Sequence, residues 1–191
     1  NKKLLDEAKL FSIWYVPKFI SKNKQSKFNK LIKKQIEFLL SKIKLKNNIF
    51  VHRDFHVSNL MKYKNKIATI DTQDALIGNR AYDLASLIDD VRFKTTAQFK
   101  NKIYSHYLSL NKKDINKNHF KNDFEILSVL RSLKIIGIFT RLAARDKKNK
   151  YLKFIPYAWK LIELRMEKNI IFTELKKLLD LNFSIKIRAI K

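Results

Sequence analysis

Cysteine is absent from this chain of 191 residues, and glycine and proline occur only twice each. Without cysteine there are no disulfides and no thiolate metal sites. No apolar run approaches the roughly 18 residues that a membrane-spanning helix needs, and no signal-peptide pattern opens the sequence. The apolar and aromatic contents, 46% and 12%, are those of a chain with a hydrophobic core. We therefore expect a folded cytoplasmic protein.

Acidic residues are also scarce, and the formal net charge is +25. An excess of positive charge of this size is typical of nucleic-acid-binding proteins. Only eight of the 42 basic residues are arginine, however, the residue best suited to bidentate contacts with phosphates and bases. The lysines run from Lys2 to Lys191 without a dominant block, and lysine, asparagine and isoleucine share A/T-rich codons. The composition favours codon bias over a nucleic-acid partner, while the positive field would still attract an anionic substrate.

The densest set of polar candidate residues follows a short apolar strand. His52, Arg53, Asp54 and Asn59 stand in the order H-R-D-x-x-x-x-N, and Asp71 ends a later apolar run. Phosphoryl transfer from ATP requires a carboxylate beside the acceptor hydroxyl and oxygen ligands for the metal on the phosphates. The pattern predicts Asp54 as the general base and Asn59 and Asp71 as ligands of Mg²⁺.

Residues 60–63 and 66–70 are two strand-like segments around the polar pair Lys64-Asn65. Their spacing predicts a β-hairpin. Such a hairpin would carry Asp71 back beside Asn59, so that two oxygen ligands meet although twelve positions separate them.

Most of the remaining sequence has helical apolar spacing. The predicted helices are residues 4–20 with a break near Pro17, 28–44, 81–92, 93–110, 124–145 with Gly137 inside it, 151–165 and 170–181. Residues 21–26 and 75–80 are predicted loops, and the basic tail from Asn182 is predicted to be frayed.

Residues around the motif are candidates for support and substrate contact. His52 is predicted to stabilise the loop through hydrogen bonds. Asp83, in the first turn of a helix, is predicted to stabilise the same loop by accepting backbone hydrogen bonds. His56 could contact substrate or pack internally. Asp74 could contact metal or substrate, or stabilise a turn.

Several enzyme classes are excluded because their characteristic motifs are missing from the sequence. Protein kinases carry D-F-G, an activation segment and A-P-E, whereas this chain has D-T-Q and resumes a helix within about a dozen residues. Protein substrates are therefore not expected. No cluster of histidine and cysteine indicates zinc, and no G-x-S-x-G indicates a hydrolase.

The sequence resembles the aminoglycoside phosphotransferase and choline kinase-like superfamily. The resemblance rests on H-R-D-F-H-V-S-N-L-M at residues 52–61, I-D-T-Q-D-A at 70–75 and Y-D-L-A-S-L at 82–87. Two flanking segments, residues 10–17 and 133–141, make the chain most similar to bacterial anomeric N-acetylmuramate/N-acetylglucosamine kinases of cell-wall recycling.

This resemblance implies a mainly helical α+β fold, the C-terminal lobe of a protein-kinase-like enzyme with a small β-hairpin at the active site. It implies ATP and Mg²⁺ as cofactors and an amino-sugar anomeric hydroxyl as acceptor. Further candidates for substrate contact are Gln73 and Arg141, which lie in the matching segments. Kinases cover the phosphates with a glycine-rich loop, but Gly78 and Gly137 both follow the motif.

Residues 1–191 are therefore expected to form a single lobe whose N-terminal nucleotide-binding lobe is missing, and to be nearly inactive alone. The nearest rival is a kinase for an aminoglycoside, choline or another alcohol, because the scaffold is shared. A second rival is an inactive or basic nucleic-acid-binding module, whose binding would fall steeply with salt and ignore Asp54→Ala.

Overall fold

The computed structural model describes residues 2–111 and 115–190. Most of them are helical and the strands are short, so the chain is mainly helical with a minor β component. Within the described residues, no helix has the length and apolar content to cross a membrane. The chain divides into two compact units, Asn1–Lys42 with Val129–Lys191 (unit 1) and Ile43–Ser128 (unit 2).

The helices follow from apolar residues at helical spacing, with lysines on the exposed faces. In chain order the α-helices are α1 (Lys2–Leu10), α2 (Val16–Phe19), α3 (Lys22–Ser41), α4 (Ala81–Ile88), α5 (Ala97–Leu110), α6 (Lys117–Ala144), α7 (Ile155–Met166), α8 (Thr173–Asn182) and α9 (Ile185–Arg188). A π-helical turn, Phe11–Tyr15, joins α1 to α2. Short 3₁₀ turns lie at Val57–Asn59, Asn149–Phe154 and Ile170–Phe172.

Four strands in unit 2 form two separate antiparallel pairs. They are β1 (Asn47–Val51), β2 (Leu60–Tyr63), β3 (Lys66–Thr69) and β4 (Leu76–Asn79). β2 and β3 form the predicted hairpin in the register Leu60↔Thr69 to Tyr63↔Lys66. β1 pairs with β4, with Val51 opposite Leu76 at one end and Asn47 opposite Asn79 at the other.

Several of the sequence predictions differ from the structure. The predicted loop 75–80 contains β4, whose partner β1 is too distant in sequence for a local pattern to reveal. The predicted loop 21–26 is the start of α3, where the polar residues face solvent and lysine favours helix. The break predicted near Pro17 lies at Ile20, which has an extended backbone, whereas Pro17 itself is in the first turn of α2.

Unit 1 is built on an aromatic core. Phe11 stacks on Tyr15 at 5.2 Å and meets Trp159 edge-on at 5.8 Å, and Phe183 packs on Phe28 at 5.6 Å between ring centroids. The indole N–H of Trp159 donates to the Tyr15 hydroxyl at 3.1 Å. The polar ends of two buried rings therefore satisfy each other.

The predicted frayed tail is instead a packed helix. In α9, the Arg188 guanidinium lies 4.8 Å from the centre of the Trp159 ring and donates to Glu163 at 2.7 Å and to Asp180 at 2.6 Å. Those two carboxylates raise the pKa of Arg188 against the opposing effect of burial. A single arginine thus attaches the last helix to unit 1.

Candidate functional site

The loop that follows β1 is fixed to the first turn of α4 by one carboxylate. Asp83 accepts the backbone N–H of His52 at 2.7 Å through one oxygen and that of Arg53 at 3.0 Å through the other. Arg53 has a left-handed backbone with φ of 73°, a conformation that costs a residue with a side chain about 1–3 kcal/mol. The two hydrogen bonds to Asp83 offset that strain and hold the loop in one shape.

The buried His52 ring joins this loop to the segment that carries Asp71. Its Nε2 lies 3.0 Å from the carbonyl oxygen of Ile70, the residue immediately before Asp71. A neutral imidazole protonated at Nε2 would donate this bond. His52 thus contacts α4 through its backbone N–H and the Asp71 segment through its ring.

Asn59 contacts both the loop and the segment that carries Asp71. Its side-chain N–H donates to the Asp54 carbonyl at 3.0 Å, and its own carbonyl accepts the N–H of Ile70 at 3.1 Å, which extends the hairpin by one bond. Asn59 and Asp71 are therefore brought together, as the hairpin pattern predicts. Because the side-chain nitrogen of Asn59 donates to the Asp54 carbonyl, the side-chain oxygen of Asn59 points away from this hydrogen bond.

Asp54 and Asp71 differ in exposure. Asp54 is half-buried, and its carbonyl also accepts the N–H of His56 at 3.0 Å, so that its backbone is held by two bonds. Asp71 is exposed and has a φ of 69°, which aspartate tolerates better than most residues.

The other predicted substrate contacts have different positions. Gln73 and Asp74 lie in an exposed turn after Asp71, and the guanidinium of Arg53 lies 3.7 Å from the Asp74 carboxylate while donating to its carbonyl at 3.0 Å. His56 is buried in the loop. Arg141 belongs to unit 1, where it is half-buried near the end of α6.

Sequence reasoning missed two polar residues of unit 2. Asp123 is fully buried in α6 and bonds to Asn79 at the end of β4, at 2.7 Å. One signal in the sequence could have identified Asp123: an acidic residue stands between apolar residues of a helix. A buried carboxylate in such a place requires hydrogen-bond donors. The sequence does not show where most of those donors are, because Lys44, Leu45 and Asn79 are all far from Asp123 along the chain.

The part of the chain that the structure describes contains no group of three or more histidine, cysteine or acidic side chains able to hold a metal ion. Mg²⁺ needs no such group, because it usually takes one or two protein ligands and completes its octahedron with phosphate and water. Asn59 and Asp71, one amide oxygen and one carboxylate on adjacent segments, fit that requirement.

A braced H-R-D loop, a hairpin and a following acidic residue are the site elements of phosphotransferases. Residues 12–114, more than half of the chain, match the family model described as the phosphotransferase enzyme family (APH). The chain belongs to this family, as the motif resemblance predicts.

Individual relatives share one name, N-acetylmuramate/N-acetylglucosamine kinase. The Neisseria meningitidis protein is 34% identical over 161 residues, which cover 82% of this chain and 48% of that relative. The Caulobacter vibrioides protein is 31% identical over 58% of this chain and 32% of its own length. The Pseudomonas aeruginosa protein is 27% identical over 91% and 53%. The chain spans about half the length of the curated relatives it matches.

Proposed function

We propose that this chain carries the phosphoryl-transfer loops of an ATP- and Mg²⁺-dependent small-molecule kinase. The acceptor is the anomeric hydroxyl of an amino sugar, N-acetylmuramate or N-acetylglucosamine, and the product is a sugar 1-phosphate. Family membership supports the reaction class, and the shared name of the relatives supports the amino sugar.

One observation carries the proposal: two segments with reactive side chains are bound to each other at several points. The His52 ring lies 3.0 Å from the carbonyl oxygen before Asp71, and Arg53 donates to the Asp74 carbonyl at 3.0 Å. Asp83 fixes the backbone before Asp54. Catalysis of phosphoryl transfer is mostly positioning and charge stabilisation. Such a reaction needs the protein to hold in place the two backbone segments that carry the Asp54 and Asp71 carboxylates.

Asp54 acts as the general base. Its carboxylate orients the acceptor hydroxyl and takes its proton as the oxygen attacks the γ-phosphorus of ATP, and the bond from that phosphorus to the bridging oxygen breaks so that ADP leaves. The bonds from Asn59 and from the His56 N–H to the Asp54 carbonyl hold this residue in place. His52 and Asp83 position the loop and take no part in proton transfer.

Asn59 and Asp71 hold the metal in this proposal. When bound there, Mg²⁺ neutralises negative charge on the transferring phosphoryl group. The bond from the Asn59 amide nitrogen to the Asp54 carbonyl leaves the amide oxygen as the ligand. The left-handed backbone of Asp71 sets the direction of its carboxylate.

Within unit 2, substrate contacts are assigned to Gln73, Asp74 and His56. Gln73 and Asp74 are exposed directly after the metal segment, and Arg53 holds that turn through the Asp74 carbonyl. The hydroxyl and N-acetyl groups of an amino sugar can form hydrogen bonds with such amide and carboxylate partners.

The test is a chimera in which this chain replaces the matching segment of the Neisseria meningitidis relative. ATP consumption is followed with N-acetylmuramate, N-acetylglucosamine, an aminoglycoside and choline. We expect turnover on an amino sugar, and a loss of about 10²–10⁴-fold in Asp54→Asn. Asp146→Asn, which changes an exposed carboxylate paired with Arg145 in unit 1, is the matched control.

Turnover only on choline or the aminoglycoside would contradict the proposed acceptor. A folded chimera that binds ATP but shows no turnover dependent on Asp54 would contradict the proposed reaction.

A further inference from the structure

Asp123 is a fully buried carboxylate that accepts hydrogen bonds from four donors of unit 2. It accepts the backbone N–H groups of Lys44 and Leu45, both at 2.8 Å, and the side-chain N–H groups of Asn79 at 2.7 Å and Asn122 at 2.9 Å. Burial of an ionised carboxylate is expensive unless donors compensate for the lost water. This arrangement therefore requires that the segments carrying those donors stay in place.

Two of these segments belong to the same end of the β1–β4 pair. Lys44 and Leu45 precede β1, and Asn79 ends β4 opposite Asn47. The ladder is irregular between Asn47 and Ile49, so its own hydrogen bonds specify the register weakly at this end. Asp123 binds both chain segments here and specifies the register from outside the ladder.

The opposite end of the same pair leads to the phosphoryl-transfer loops. Val51, opposite Leu76, is followed directly by the H-R-D loop, and Leu76 follows the Asp71 segment within a few residues. A slip of one residue in a two-stranded ladder turns every side chain to the other face. The register that Asp123 holds therefore sets the positions at which the segments carrying Asp54 and Asp71 join β1 and β4.

Asn79 also connects this carboxylate to the brace of the loop. Its side-chain oxygen accepts the N–H of Ala81, the first residue of α4, at 2.9 Å. Asp83, two residues later, accepts the backbone N–H groups of His52 and Arg53. A continuous series of contacts thus runs from Asp123 through Asn79 and the start of α4 to the H-R-D loop.

We propose that Asp123 and Asn79 are positioning residues for the phosphoryl-transfer loops. They fix the register of β1 and β4 and the first turn of α4, and through these the placement of Asp54 and Asp71. The consequence for turnover rests on the proposed function, whereas the placement of the loop can be measured without it.

The measurement is amide hydrogen exchange on the whole 191-residue chain. In Asp123→Asn, and in Asn79→Ala, which keeps the carboxylate and removes one of its donors, the His52 and Arg53 amides should exchange about tenfold faster or more, because their acceptor is no longer held in position. Amides of α7, in unit 1, should keep their rates. Asn122→Ala is the matched control, since it removes a donor to the same carboxylate that belongs to neither β1 nor β4.

Unchanged exchange at His52 and Arg53 in both variants would overturn the proposal. A uniform increase across both units would also overturn it, since that result means only a general loss of stability. In the chimera, the same variants should lower kcat with little change in KM for ATP. If the chimera has no turnover dependent on Asp54, the proposed function fails while the exchange result still decides the positioning role.

Discussion

A Cβ placed on Gly137 would lie 2.3 Å from the carbonyl carbon of Leu10 and 2.5 Å from the N of Phe11. Gly137 is in the interior of α6, where glycine is otherwise unfavourable. Its lack of a side chain lets α6 approach the backbone at the junction of α1 and the π-helical turn. Close packing of two backbones, and not a break in the helix, explains this glycine.

Gly137→Ala should therefore destabilise unit 1. Alanine gains up to about 1 kcal/mol of helix propensity, but a contact under 3 Å with backbone forces a shift, and overpacking typically costs about 1–3 kcal/mol or more. Urea unfolding followed by tryptophan fluorescence measures the change, since Trp14 and Trp159 both lie in unit 1. Gly78→Ala is the comparison: a Cβ there would lie 3.0 and 3.1 Å from side-chain atoms of Leu76 and Val51 and not against backbone, so a smaller shift relieves the contact. A larger loss in Gly78→Ala would contradict this account.

Asp83→Asn should reduce turnover of the chimera by about 10²-fold, the effect expected when reacting groups are displaced by about 1 Å. One of the two backbone N–H groups, of His52 or Arg53, would then face an amide N–H instead of a carboxylate oxygen. The kinetic comparison is with Glu163→Gln, which alters a carboxylate in unit 1. Equal turnover in the Asp83 variant and the parent would show that the two hydrogen bonds do not position Asp54.

Asp71→Asn should raise the Mg²⁺ concentration that gives half-maximal turnover, because a neutral amide replaces one of the two proposed ligands. Titration of Mg²⁺ at saturating ATP and sugar measures the shift. Asp6→Asn, an exposed carboxylate paired with Lys9, is the control. An unchanged Mg²⁺ requirement together with full turnover would remove Asp71 from the proposed metal site.

Burial raises the pKa of Tyr15 to about 12, against the opposing effects of the Trp159 hydrogen bond and Arg188. In the unfolded chain, tyrosine ionises near its ordinary value of 10.0. Above that pH the unfolded state has lost the proton while the folded state keeps it, so the free energy of unfolding falls as pH rises from 10 toward 12. Below pH 10 this contribution does not vary with pH.

Tyr15→Phe lacks this ionisation, so its free energy of unfolding should decline less steeply over the same alkaline range. Urea unfolding of the variant and the parent, at matched pH values, gives the difference. Parallel curves for the two proteins would mean that Tyr15 does not stay protonated in the folded state.

Predictions from sequence succeeded where the cause is local. The hairpin over residues 60–69 depends on two adjacent strand-like segments and a two-residue turn, in which Lys64 adopts the left-handed conformation with φ of 52°. The helices follow from apolar periodicity within a few turns. Family membership was predicted because the motif residues are close together in sequence, and the family match covers them.

Predictions failed where the cause is a distant partner. β4 is short and contains a glycine, so only its pairing with β1 identifies it as a strand. The C-terminal residues resemble a solvated tail, yet Arg188 finds Trp159, Glu163 and Asp180 on other parts of the fold. Neither partner set leaves a periodic signal in the sequence.

The sequence by itself determined the mainly helical class, the hairpin and the order of the polar residues at the candidate site. Only the tertiary structure decided how that site is held. Asp83 reaches His52 and Arg53 across 31 and 30 positions, and Asp123 reaches Asn79 across 44. Sequence patterns report local propensity and which face of an element is buried. The partner of a buried carboxylate depends on which distant donors the packed elements place within about 3 Å.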